Sequence, residues 1–369
     1  MSIFAFSELE NGKVRRIFAS ARYPSKQIGN VLFDSDLVPN LRFSDEIPLK
    51  LRCMHALVAF RPSYILLSRD VLGGRPLYYG DDLSFSSFKS YIGSNFKEVK
   101  PGEVIKINYG GKVIERKIFK FDEVFSGENN EVEELIEKIK NSLLSFKYGN
   151  ACIAFSGGID SSFLASIYDV PLISVTANKK EEEWIKTAAK KIGREIEVKK
   201  IREEDIKNKI GEIKKIIETE NYLQVSIAVP IFFALSFAKE QGYSEIIFGQ
   251  GADELFGGYK RYENATEEDL EMMLVEDVKS LGEKNLVRDI KLAYSNEIKL
   301  LTPYLSWDVI EAAVKIPAKY KVTKVDGKIV RKYILRKIAE EFIPKEIAWR
   351  EKKAIQYSTG ISRMLRKIL

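Results

Sequence analysis

The 369-residue chain has one histidine, His55, and only two cysteines, Cys53 and Cys152. A lone imidazole excludes chemistry that needs several. His55, beside Met54 and ahead of the apolar run Ala56-Leu57-Val58-Ala59-Phe60, reads as structural. Acid–base work is left to carboxylates, lysines, tyrosines or substrate groups. Two cysteines supply neither a disulfide framework nor metal-ligand spacing. Charge of either sign is not in large excess: 59 Lys+Arg against 53 Asp+Glu leave +6, with no polybasic tail. That balance suits an anionic small ligand and does not demand nucleic acid. No basic leader or membrane-length apolar run is evident; Met1-Ser2-Ile3-Phe4-Ala5-Phe6 is soon followed by Glu8, Glu10 and Lys13. A soluble, cytoplasmic protein is the expectation.

What is present is Phe155-Ser156-Gly157-Gly158-Ile159-Asp160-Ser161-Ser162, between the apolar stretches Ala151–Ala154 and Phe163–Ile167. That order predicts strand, glycine turn, helix. Adjacent glycines let backbone approach a ligand, and the N–H groups of the turn and helix start form an anion cradle. Ser156, Ser161 and Ser162 add hydroxyls, and Asp160 offers a carboxylate for magnesium bridging phosphates. The Gly-Lys-Ser/Thr ending of a Walker A loop is missing, which argues against terminal phosphoryl transfer. The S-G-G-x-D-S-S string resembles the PP-loop of ATP pyrophosphatases, which split ATP into AMP and pyrophosphate.

Residues 1–121 read as short strands with turns, including a hairpin of Val104–Ile107 and Val113–Arg116 about Tyr109-Gly110-Gly111-Lys112. Asp122 to Asn130 reads as a linker. From 131 onward, strands and helices alternate. An amphipathic helix carries Val132, Leu135, Ile136, Ile139, Leu143 and Leu144. The strand Leu172–Val175, a charged helix around Trp184–Ile192, a helix Val229–Lys239 and the strand Ile246–Phe248 follow. The expected class is α/β: a parallel-sheet PP-loop domain over 131–369 with a helical C-terminal part, plus a small β-rich N-terminal domain over 1–121.

A second glycine motif, Gly249-Gln250-Gly251-Ala252-Asp253-Glu254, follows Ile246–Phe248. Asp253 would supply the second magnesium carboxylate. With both motifs, the chain resembles glutamine-type asparagine synthetases and their β-lactam synthetase relatives. Ile217-Glu218-Thr219-Glu220 with Pro230, Lys332-Tyr333-Ile334-Leu335-Arg336 and Ala348-Trp349-Arg350-Glu351-Lys352-Lys353 match further family segments in order. Arg69-Asp70-Val71-Leu72-Gly73-Gly74-Arg75-Pro76-Leu77-Tyr78-Tyr79 resembles part of the family's glutaminase domain, a truncated Ntn-hydrolase-like fold here.

The resemblance implies that Ser156, Gly157, Gly158, Asp160 and Ser161 hold pyrophosphate, and that Asp160 and Asp253 ligate Mg2+. It implies that Ala154 and Val175 read adenine and that Gly249 lies by the ribose; Gln250 is counted with these ATP-binding residues, and its amide can orient a substrate by hydrogen bonds. Lys352 would stabilise charge as ammonia or an amine attacks an acyl-adenylate, with Lys332 near pyrophosphate. The expected activity is AMP-forming, ATP-dependent amide ligation of aspartate or another carboxylate. The family's amino-terminal Cys-Gly-Ile is replaced by Met1-Ser2-Ile3, so no glutamine hydrolysis is expected. Gln250, Lys299, Leu301 and Ser226 depart from the family on the acceptor side, which points to an altered acyl substrate or amine. Expected partners are a small carboxylate and ammonia or an amine, with no membrane or nucleic acid; a homodimer is compatible with the sequence. The alternatives are an RNA-modifying PP-loop enzyme and a non-catalytic nucleotide-binding homologue.

Overall fold

The structure, a computed structural model, describes residues 2–10, 13–126, 131–351 and 360–368. The chain divides into two units, Met1–Ser126 with Lys279–Glu297, and Gly127–Val278 with Ile298–Leu369.

The first unit contains β1 (Ile3–Glu10), β2 (Lys13–Ala21), β3 (Lys26–Ile28), β4 (Val31–Ser35), β5 (His55–Phe60), β6 (Tyr64–Arg69), β7 (Tyr78–Tyr79), β8 (Phe85–Ser86), β9 (Lys97–Glu98), β10 (Glu103–Asn108) and β11 (Val113–Ile118). They form two antiparallel sheets, ordered β2-β1-β8-β7-β9 and β11-β10-β6-β5-β4-β3. Side-chain alternation assigns the faces. Ala56, Val58, Ile65 and Leu67 join Ile3, Ala5, Tyr79 and Phe85 in a core shared by both sheets. Leu57, Ala59 and Leu66 point the other way, onto Ile47 and Leu51 of a short covering segment. The expected hairpin is β10–β11, with Ile105 opposite Arg116.

The Arg69-Asp70 pair staples the loop that follows β6. Asp70 Oδ1 accepts from the N–H groups of Leu72 and Gly73, both at 2.9 Å, and its Oδ2 accepts from His55 N–H at 3.0 Å. Buried Arg69 donates to Val99 O and Glu98. This stretch of the glutaminase-like motif therefore has a structural use. Residues Lys279–Glu297 complete the unit. Within them, Tyr294 donates to Asp34, which also accepts from Arg75 at 2.7 Å, and Lys291 lies 3.2 Å from Tyr78 Oη. Gly282 meets the loop backbone so closely that a Cβ would stand 2.1 Å from Leu72 O.

The second unit holds β12 (Ala151–Ala154), β13 (Leu172–Thr176), β14 (Ile196–Lys200), β15 (Glu245–Ile247) and β16 (Lys299–Leu301), all parallel, in the order β14-β13-β12-β15-β16. The chain steps outward from β12 to β14 and then returns to the other side of β12. Right-handed crossovers place helices Ile159–Ile167 and Lys179–Lys191 on one face, and Glu203–Ile217 and Tyr222–Glu240 on the opposite one. With both faces covered, all five residues of β13 are buried. A hairpin of β17 (Thr323–Val325) and β18 (Lys328–Val330) turns through Asp326-Gly327, both at positive φ, the Asp-Gly pairing of a tight hairpin turn.

Three expectations change. The helix placed at Val229–Lys239 runs from Tyr222 to Glu240 with Pro230 inside it. Proline marks a helix start only by local preference, and burial of most of this helix outweighs the lost hydrogen bond. It is the one described helix long and apolar enough to cross a membrane, yet it packs inside the unit on β13 and β15 as a core helix. Strands β14 and β16 lack a continuous apolar run, and only sheet pairing reveals them. Part of the expected linker is structured, since Phe121–Val124 is a helical turn; 127–130 lie outside the described residues.

His55 is fully buried, with Nδ1 3.3 Å from Cys53 O and Nε2 3.0 Å from Ser68 Oγ. The ring is neutral: Nδ1–H donates to the carbonyl and Nε2 accepts from the hydroxyl. Burial lowers its pKa from 6.5 to about 4. Between those values the unfolded chain binds a proton that the folded ring refuses. Stability is thus lost as pH falls from 6.5 towards 4, by up to about 3 kcal/mol. Buried Asp70, pushed up to about 6 by burial, acts oppositely and gains stability over pH 6 to 3.8. In urea denaturation, His55→Gln should cost stability at pH 7, and its deficit relative to wild type should narrow at pH 5.

Candidate nucleotide site at the switch point

The direction of sheet growth reverses between β12 and β15, and ligands of open parallel sheets bind beyond the strand carboxyl ends at such a point. Both glycine motifs emerge there: Phe155–Asp160 after β12 and Phe248–Asp253 after β15. Ala154 ends β12 half-buried, Val175 is buried near the end of adjacent β13, and Gly249 and Gln250 are half-buried after β15. The structure therefore brings the expected adenine, ribose and phosphate residues to one edge of one sheet.

The loop is tightly braced. Gly157 adopts φ +68°, which disfavours any residue with a Cβ. Ser161 Oγ, itself buried, accepts from Ser156 N–H at 3.0 Å, lies 3.1 Å from Ser156 Oγ and donates to Gly158 O at 3.3 Å. Ser161 thus holds the loop shape, while the Ser156 side is exposed. Ser162 is a correction: its side chain is fully buried and its hydroxyl has no hydrogen-bond partner, so it does not serve as a surface donor.

Lys332 is the centre of charge. Its ammonium lies 2.5 Å from Asp160 Oδ1 and 2.8 Å from Asp253 Oδ1, with the side chain 1% exposed. Burial lowers its pKa, and the Asp160 charge and hydrogen bond oppose that shift. The residue sits at φ 56°, ψ 34° directly before helix Tyr333–Ala339, a left-handed conformation uncommon for a residue with a side chain. Tyr304 donates to Asp160 O at 3.0 Å, and Tyr259 Oη donates to buried Glu254 at 2.5 Å.

Gly249 and Gly258, on either side of Asp253, serve packing. A Cβ on Gly258 would lie 1.8 Å from Asp253 Oδ1 and 2.4 Å from Lys332 Cε, and one on Gly249 would lie 2.8 Å from Asp160 Cβ. Gly258 O also accepts from Arg331 at 2.7 Å. Two carboxylates from the first turns of two helices, one after β12 and one after β15, lie beside a glycine cradle and match the one or two carboxylates plus phosphates by which magnesium is held. Among the described residues no group of three or more acidic, histidine or cysteine side chains forms a complete protein cage for a metal. The donor set fits a cation shared with phosphate rather than one held by protein alone.

Sequence reasoning missed two other contributors. Trp184 Nε1 donates to Gly157 O at 3.1 Å, and the Arg350 guanidinium stacks 3.6 Å above the Trp184 ring. Arg336 donates to Arg350 O at 3.1 Å and to Ala348 O, tying the Ala348–Arg350 segment to the helix that begins after Lys332. Lys352 lies outside the described residues, two positions beyond Arg350.

An α/β domain with a PP-loop at its switch point and an accompanying antiparallel β-rich unit is the class this architecture defines. Residues 133–271 and 262–369 match the family model described as asparagine synthase, and the chain belongs to that family. A protein of Methanocaldococcus jannaschii, provisionally named glutamine-hydrolysing asparagine synthetase 1, is 30% identical over 82% of this chain and 68% of its own length. The nodule asparagine synthetase of Pisum sativum is 29% identical over 60% of this chain, and asparagine synthetase 1 of Lotus japonicus 26% over 60%. This chain spans 41% of the length of each plant protein. A solved tRNA thiolase from Methanococcus maripaludis covers 64% of the chain at 15% identity with a TM-score of 0.28, too low to support any argument.

Two substitutions separate crowding from flexibility. Gly258→Ala should destabilise by more than about 2 kcal/mol in urea denaturation, because Asp253 and Lys332 must both move. Gly211→Ala, in the helix Glu203–Ile217 with open space around its Cβ position, should stabilise by up to about 1 kcal/mol. Ser162→Ala, which removes an unpartnered buried hydroxyl, should be neutral or stabilising in the same assay.

Proposed function

We propose that this chain is an AMP-forming, ATP-dependent amide ligase. The observation that carries the proposal is the convergence of Asp160, Asp253 and Lys332 beside the Ser156–Ser161 loop in a member of the asparagine synthase family. Ser156, Gly157 and Gly158 would bind the β- and γ-phosphates through hydroxyl and backbone N–H groups, with Ser161 holding the loop in shape. Ala154 and Val175 would flank adenine, with Gly249 by the ribose. Asp160 and Asp253 would hold Mg2+, which supplies charge neutralisation for the polyphosphate when bound.

In the proposed reaction a substrate carboxylate oxygen attacks the α-phosphorus of ATP. The bond from that phosphorus to the bridging oxygen breaks, and pyrophosphate leaves with the electron pair. Lys332 would follow the developing pyrophosphate charge, a task for a point cation in a dry site. Ammonia or an amine then attacks the acyl carbon, AMP departs, and the nitrogen loses a proton to yield the amide. Lys352 is the proposed cation for that second step. Gln250 would orient substrate through its amide. The acyl substrate is aspartate or another small carboxylate.

The chain is proposed to lack glutaminase activity. Both thiols are buried and free: Cys53 is shifted up and Cys152 is pushed up to about 12, chiefly by burial. Thiols kept protonated in this way are poor nucleophiles. The same burial weighs against the RNA-modifying alternative, whose chemistry relies on reactive cysteines.

The test is pyrophosphate exchange into ATP across a panel of carboxylic acids, followed by product analysis with ammonia or glutamine as nitrogen source. AMP and pyrophosphate are the expected products, with ammonia and not glutamine supporting turnover. Asp160→Ala should abolish exchange. Release of ADP and orthophosphate overturns the ligase assignment, and glutamine-driven turnover overturns the nitrogen-source assignment.

A further inference from the structure

The geometry points to Trp184 as the positioning residue that aims the Gly158 N–H at the ligand's β/γ-phosphates, with Arg350 clamping its ring. The inference rests on the reading of the Ser156–Ser161 loop as a pyrophosphate cradle. It concerns a side chain from a different element, helix Lys179–Lys191, which no loop motif includes.

The argument is one of peptide geometry. The Gly157–Gly158 bond is trans, and in a trans peptide the carbonyl of one residue and the N–H of the next point in opposite directions. Trp184 Nε1–H holds the Gly157 carbonyl at 3.1 Å on the helix side of the loop. The Gly158 N–H is therefore turned to the other side, where it donates to the exposed Ser156 Oγ at 3.3 Å, a bond that an incoming phosphate oxygen would take over. Glycine on both sides of this peptide leaves it prone to flip, because neither residue has a Cβ to restrict it. A flipped peptide would present an oxygen, and its negative partial charge, to a polyphosphate. The indole N–H opposes that flip.

Two further contacts make the indole a rigid post. The space a Gly157 Cβ would occupy is filled by Trp184 Nε1 at 2.5 Å and Ala188 Cβ at 3.0 Å, so loop and helix are in direct contact. On its other face the indole carries the Arg350 guanidinium at 3.6 Å, a cation–π stack. Arg350 in turn has its carbonyl held by Arg336. The segment that leads to Lys352 is thereby referenced to the same peptide that would receive pyrophosphate.

The experiment compares ligands that share or lack the β/γ-phosphates. Calorimetry with Mg2+ present measures Kd for pyrophosphate, ATP and AMP on wild type, Trp184→Phe, Trp184→His and Arg350→Gln, alongside thermal melts. Trp184→Phe keeps a ring beneath Arg350 but removes the donor. It should weaken pyrophosphate and ATP by about fivefold to tenfold, the scale of one hydrogen bond. AMP affinity should stay within about twofold, which a general structural lesion would not spare. Trp184→His, which restores a ring N–H, should recover part of the loss. Arg350→Gln should weaken pyrophosphate in the same direction by less. Equal weakening of AMP and pyrophosphate, or unchanged pyrophosphate binding in Trp184→Phe, overturns the inference alone. Failure of wild type to bind pyrophosphate or ATP overturns the cradle reading and this inference with it.

Discussion

The buried ammonium of Lys332 is the interaction on which the second unit's carboxyl edge depends. Asp160 opens the helix after β12, Asp253 lies in the first turn of the short helix Ala252–Phe256 after β15, and Lys332 introduces a helix from the C-terminal part. Contact of both carboxylates with one nitrogen limits their oxygens to a separation of about 5 Å. Unscreened by a cation, that pair would repel by about 3 kcal/mol at an effective dielectric of 20. The lysine relieves the repulsion and satisfies its own buried charge at once. It does so from a left-handed backbone conformation, a local cost tolerated where surrounding structure determines the geometry.

The same constraint explains the glycines around the site. Read from sequence, they permit close approach of phosphate or ribose. In the structure several are already required by protein–protein contact: Gly258 by Asp253 and Lys332, Gly249 by the Asp160 Cβ, Gly157 by Trp184. Close approach of backbone to side chain brings three distant segments to one point, and a ligand cradle is what remains open between them. Elsewhere a similar economy holds. Arg69 and Asp70 spend their hydrogen bonds on the loop after β6, so this glutaminase-like stretch holds that loop in shape.

The order of elements was legible along the chain because it is written in short-range signals. Apolar runs bounded by glycine turns marked β12, β13 and β15, and Tyr109-Gly110-Gly111 marked the hairpin of β10 and β11. The resemblance of ordered motifs led to the asparagine synthase family, and the match over residues 133–271 and 262–369 shows it. Strands β14 and β16 escaped because their sequences, Ile196-Glu197-Val198-Lys199-Lys200 and Lys299-Leu300-Leu301, carry few local strand signals and gain their identity from neighbours. The helix placed at Val229–Lys239 proved longer, because burial along Tyr222–Glu240 carries it through Pro230.

The chemical residue types at the site, two carboxylates, a glycine loop and lysines, were determined by sequence alone, because each motif carries its own local geometry. Which of them meet was decided only by tertiary structure. The ion pairs of Lys332, the retreat of Ser162 into the interior and the Trp184–Arg350 stack join residues 79 to 172 positions apart or turn a side chain inward on a helix. Local pattern encodes the period and the turn, whereas contacts at such separations arise from packing of the sheet, its helices and the segment that follows them.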